Sequence, residues 1–64
     1  MLIEGIGYDV NWGKFTRGSS FFIPVLDPKP AKRIIRGETR RLGYKILMKV
    51  TIEEGIRGLR VWRI

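Results

Sequence analysis

Asp27-Pro28 and Gly43 bracket the middle of this chain, and they constrain its fold more than any other feature. An aspartate can accept from the free amides at a helix start, and a proline at the first helical position forfeits no backbone bond. Pro30 still lies within that unpaired first turn. A glycine just past the last turn closes a helix in the left-handed conformation without a Cβ penalty. The punctuation therefore predicts one helix over 28–42. At about 100° per residue, Ala31, Ile34, Ile35 and Leu42 share one stripe, with Lys32, Arg33, Arg36 and Arg40 opposite and Arg41 on the flank. Two residues resist the pattern. Gly37 costs the helix roughly 1 kcal/mol relative to Ala, and Glu38 points into the apolar stripe, where a lone carboxylate needs a partner.

The flanks must supply the surface that covers this stripe. Ser19 to Val25 reads as a strand, and Pro24, which has no amide to donate, makes it an edge strand or its far end. Tyr44 to Ile52 and Ile56 to Ile64 read as a hairpin around Glu53-Glu54-Gly55. A three-residue turn with a left-handed glycine and a bulge would pair Ile52 with Ile56. Tyr44, Ile46, Met48, Val50, Ile52, Ile56, Trp62 and Ile64 would then share one face whose only charge is Arg60. Lys45, Lys49, Arg57 and Arg63 would surround Leu47, Leu59 and Val61 on the other face. A two-residue turn would slip the register and place Arg57 and Arg63 among the apolar residues, so the first register is preferred. It also gives Glu38 a partner in Arg60, a structural ion pair across the helix–sheet contact. Breaking one member of such a pair would cost about 3 kcal/mol or more.

Residues 1–18 are rich in glycine and read as an arm with at most one short strand near Leu2 to Ile6, while Trp12 and Phe15 read as lids on the core. The predicted organisation is one α+β domain over 1–64, with a β-α-β-hairpin core at 19–64. Its antiparallel sheet has three strands, or four if the arm adds one, and one helix packs on one face. A chain of 64 residues hides only about 60% of its unfolded surface. With no Cys and no His, neither a disulfide nor a zinc site can supplement that burial, so packing or self-association must. No cofactor or metal is called for. Acid–base pairs are also missing, so the expectation is a non-enzyme; a small toxin-like ribonuclease working through Arg, Lys and Tyr is the one catalytic alternative. No apolar run approaches the ~20 residues that span a bilayer, and the expected location is cytoplasmic, without membrane contact.

Charge then narrows the partner class. Residues 1–31 balance Lys14, Arg17 and Lys29 against Glu4, Asp9 and Asp27, whereas residues 32–64 carry ten Lys/Arg against three Glu, the whole net charge of +7. Charge concentrated in this way selects polyanions. The expected partner is nucleic acid, held through Lys32, Arg33, Arg36, Arg40 and Arg41 on the helix and through Lys45, Lys49, Arg57 and Arg63 on the hairpin. Duplex DNA is favoured over RNA, because the outer hairpin face offers at best Phe22, from the neighbouring strand, for base stacking. Coverage of that face by the arm, or by a second copy in a homodimer, is the alternative.

Trp12, the segment Gly18-Ser19-Ser20-Phe21-Phe22-Ile23-Pro24, a basic helix ending Arg41-Leu42-Gly43, and the terminal Arg60-Val61-Trp62-Arg63-Ile64 stand in one order. In this the chain resembles a group of small proteins encoded in phage and prophage genomes, over roughly residues 12–64. It departs from the group at Gly37, at Glu38 and in its longer glycine-rich N-terminus. The resemblance implies a viral accessory protein acting in the host cytoplasm. It adds a second class of partner, an acidic host protein such as a polymerase or a defence complex.

Overall fold

The computed structural model describes all 64 residues. Helix α1 spans Pro28–Leu42, within the bounds its punctuation predicts. Asp27 Oδ1 accepts from the Lys29 amide at 3.1 Å, and Gly43 takes φ 74° while its amide donates to the Arg40 and Thr39 carbonyls. Ala31, Ile35 and Thr39 form its buried edge. Thr39 is tolerated there because its hydroxyl donates to the Ile35 carbonyl at 2.9 Å and needs nothing from outside the helix. Glu38 swings to the flank and pairs with Arg41, one turn on.

Strands β3 (Ser20–Pro24), β4 (Ile46–Glu53) and β5 (Ile56–Arg63) form an antiparallel sheet in the order β3-β5-β4. Here β1 and β2 denote the arm strands Leu2–Ile3 and Ile6–Gly7. The β4–β5 turn has two residues, Glu54 and Gly55, both with positive φ (52° and 76°), and Glu53 lies opposite Ile56. Such a turn matches the natural twist of the strands it joins. The expected pairing of Ile52 with Ile56 is thus one residue out, and with a side-chain period of two the slip turns all of β5 over. Leu59 and Val61 face α1 and are fully buried, flanked by Val50 and Met48 on β4 and by Ile23 and Phe21 on β3.

Arg57 and Arg63 do fall on the helix side, but only at its margins. Arg57 is exposed near the hairpin tip. The Arg63 guanidinium lies 3.6 Å from the Tyr44 ring centroid and donates to the Phe15 carbonyl at 2.9 Å. The charge that argued against this register is absorbed where the helix stops covering the sheet. Arg60 moves to the outer face, so the expected Glu38–Arg60 pair does not form; Arg60 pairs with Glu53 instead.

The arm forms its own two-stranded sheet, β1–β2, and adds no fourth strand to the main one. Ile3 and Phe15 are buried with Ile23, Val25, Ala31, Ile35, Leu59 and Val61 in a single core, and Trp12 stands edge-on to Phe15 and Phe21 at 5.8 and 5.9 Å. Both aromatics thus act as the expected lids. The Glu4 carboxylate accepts from the Leu26 and Asp27 amides at 2.9–3.0 Å and ties the arm to the start of α1. Tyr8 donates its hydroxyl to the Pro24 carbonyl at the edge of β3. The helix packs on β1, β4 and β5, and no element packs on the opposite face of the main sheet. No helix is long and apolar enough to cross a membrane.

Candidate nucleic-acid interface

The outward face of α1 is an open groove lined by Lys29, Lys32, Arg33, Arg36, Gly37 and Arg40, without an apolar side chain among them. Each of these residues lies three or four positions from another of the set, so they form one stripe about 16 Å long at 1.5 Å per residue. The two ion pairs of the molecule are Arg41–Glu38 and Arg60–Glu53, which leaves all five cations of the stripe unpaired. Gly37 sits among them with a negative φ, and a Cβ built on it would meet nothing within 4 Å. Neither turn geometry nor packing demands glycine here. Its effect is to leave bare backbone at the middle of a cationic groove.

The outer face of the sheet has a different character. Residues opposite one another in an antiparallel pair share a face, which places Ser20, Phe22 and Pro24 of β3, Gly58, Arg60 and Trp62 of β5, and Leu47, Lys49 and Thr51 of β4 together. Lys45, just ahead of β4 and two residues before Leu47, continues the alternation, and its carbonyl accepts from the Ile64 amide. Lys49 and Arg60 stand directly opposite, an unfavourable pairing of like charges. It is relieved because Arg60 turns along the sheet to Glu53, donating from Nε and from Nη2 at 2.6 Å each, and from Nη1 to Ser20 Oγ at 2.7 Å. The Arg60 side chain is about a quarter exposed and that of Glu53 about a third. The Arg60 guanidinium, and secondarily the Thr51 hydroxyl, hold the Glu53 carboxyl below the usual carboxylate range against a smaller opposing effect of burial. The same pair raises the Arg60 pKa.

Gly58 explains the shape of this face. A Cβ there would lie 2.4 Å from the Ile23 carbonyl oxygen and 2.6 Å from the far edge of the Phe22 ring. The ring therefore reaches across β5 through space that only glycine leaves open. Arg60 lies beside it, 5.8 Å from the ring centroid, and Trp62, half-buried, follows two residues along.

Of the residues expected to contact nucleic acid, Lys32, Arg33, Arg36 and Arg40 share the groove, and Arg41 lies beside it in its pair with Glu38. Lys45 and Lys49 are on the outer sheet face as expected. Arg57 and Arg63 are not, for the register places them on the helix side, and Arg63 is engaged by Tyr44 and Phe15. Lys29 was missed, although its place three residues before Lys32 could have found it. Trp62 was missed because its face depends on the turn. No family model matches this chain, and neither a curated protein nor a solved structure matches it significantly.

Proposed function

We propose that this protein binds nucleic acid without catalysis and that its primary contact is the phosphate backbone of duplex DNA, taken along the outer face of α1. One observation carries the reading: five cations, Lys29, Lys32, Arg33, Arg36 and Arg40, line one groove with no carboxylate paired to any of them. A solvated helix surface ordinarily interleaves opposite charges at neighbouring turns, and this one does not. Arginine forks match phosphate oxygens in bidentate geometry, and each neutralised phosphate releases counterions. The absence of aromatic side chains from the groove favours backbone contact over base stacking. The resemblance to phage-encoded proteins is compatible with such a role.

The test is a salt titration of binding to a short duplex. Wild-type protein should show a steep fall of log K with log salt, and Arg33→Ala or Arg36→Ala should each make that slope shallower by about one unit. Absence of duplex binding at low salt would refute the reading.

A further inference from the structure

We propose that the outer face of the β3-β5-β4 sheet is a second nucleic-acid site, and that it takes unpaired bases of a single strand where the helix groove takes duplex phosphates. Its supporting observations are separate from those of the helix. Two aromatic side chains, Phe22 and Trp62, lie on this face on adjacent strands, with the Phe22 ring over Gly58 and Arg60 between Gly58 and Trp62 along β5. An extended single strand can lay bases on such a row, since every base has a face to stack. Gly58 lets the Phe22 ring extend over β5 instead of standing clear of it. Next to the ring, Arg60 is held by three hydrogen bonds, two to Glu53 and one to Ser20, so its guanidinium plane is fixed along the sheet. A fixed guanidinium plane is itself a stacking surface for a base.

The charge around these groups selects the occupant. Of the carboxylates that border the platform, Glu53 is taken up by Arg60 and Thr51, while Glu54 and Asp9 lie at its rim, in clefts they share with Phe22. Lys45 and Lys49 remain unpaired at the β4 side, flanking an exposed Leu47 opposite Trp62. An apolar and aromatic centre bordered by free ammonium groups suits a ligand with flat apolar rings and a chain of negative charge. A second copy stacked face to face would instead bring two sets of lysines onto one apolar centre. The opposite helix surface has cations without aromatics and no ion pair that fixes a guanidinium plane, so it lacks this kind of platform.

The experiment compares four probes of equal length: oligothymidylate, oligouridylate, an abasic phosphodiester and a duplex. Binding is followed by anisotropy, and tryptophan emission of the unmodified chain is followed alongside. Oligothymidylate should bind and quench tryptophan emission, and the abasic strand should do neither to the same degree. Trp62→Ala, checked for folding by circular dichroism, should weaken single-strand binding roughly five- to hundredfold more than duplex binding, and Trp62→Phe should restore most of the loss. The oligouridylate arm reports whether the single strand is RNA as well as DNA. Equal binding of abasic and base-bearing strands without quenching overturns the proposal. So does a folded Trp62→Ala protein with unchanged single-strand affinity, or a wild-type dimer that this substitution dissolves. Loss of duplex binding alone would count against the helix reading and leave this one standing.

Discussion

Gly37 and Gly58 lie on the two opposed faces of this protein, and their difference shows how each face is made. Gly37 is in the middle of the cationic helix groove, where a Cβ would touch nothing. Gly58 is on the outer sheet face, where a Cβ would strike the Ile23 carbonyl and the Phe22 ring. The helix surface follows from local periodicity alone and would look the same on an isolated helix. The sheet surface exists only because three strands from distant parts of the chain meet in one register. A local surface tolerates change at its glycine, and a long-range one does not.

The largest effect is expected at Gly58. Gly58→Ala should destabilise the fold by about 3 kcal/mol, because the clash at 2.4 Å is with backbone and no rotamer relieves it. Thermal unfolding checks this; an unchanged melting temperature would mean that the two faces do not differ in the way described. Next is the turn that sets the register. Gly55→Ala forces a Cβ into a φ of 76° and should cost about 1–2 kcal/mol in denaturant unfolding. The third change has the opposite sign, since Gly37→Ala should stabilise the protein by about 0.5–1 kcal/mol by restoring helix propensity. Arg36→Ala, in the same groove, should alter stability by less than about 0.5 kcal/mol while it flattens the salt dependence of duplex binding.

The smallest effect sharpens the electrostatic side of the comparison. Glu53 is held below the usual carboxylate range in the folded protein, chiefly by its bonds from Arg60. Its contribution is therefore complete above the ordinary carboxylate pKa and lost as pH falls through the depressed folded value. Arg60, whose pKa is raised, stays charged throughout that window. Acid titration of stability should show a limb in wild-type protein that is diminished in Glu53→Gln, whereas Arg36→Ala, which has no carboxylate partner, should keep it.

Much of this architecture was legible in the residues. Asp27, Pro28 and Gly43 mark the helix to the residue, because capping is chemistry between near neighbours. The cationic groove follows from spacings of three and four. The inward set of β4, Ile46 and Met48, follows from alternation within one strand. The Glu38–Arg60 pairing failed because it rested on which way β5 faces, and Glu38 found Arg41 within its own helix. Glu4, which holds the Leu26 and Asp27 amides, carried no local signal, since its partners lie far along the chain.

Helix α1, its charged face and the composition of the strands follow from the order of residues, because each depends on interactions within a few positions. The tertiary structure alone decided the face on which Trp62 and Arg60 lie and the place of the arm in the core. Glu-Glu-Gly can close a hairpin with two residues or with three, and a period of two makes that single step reverse a whole strand. Only the burial of Leu59 and Val61 beneath α1, together with the fit of Phe22 over Gly58, separates the two outcomes.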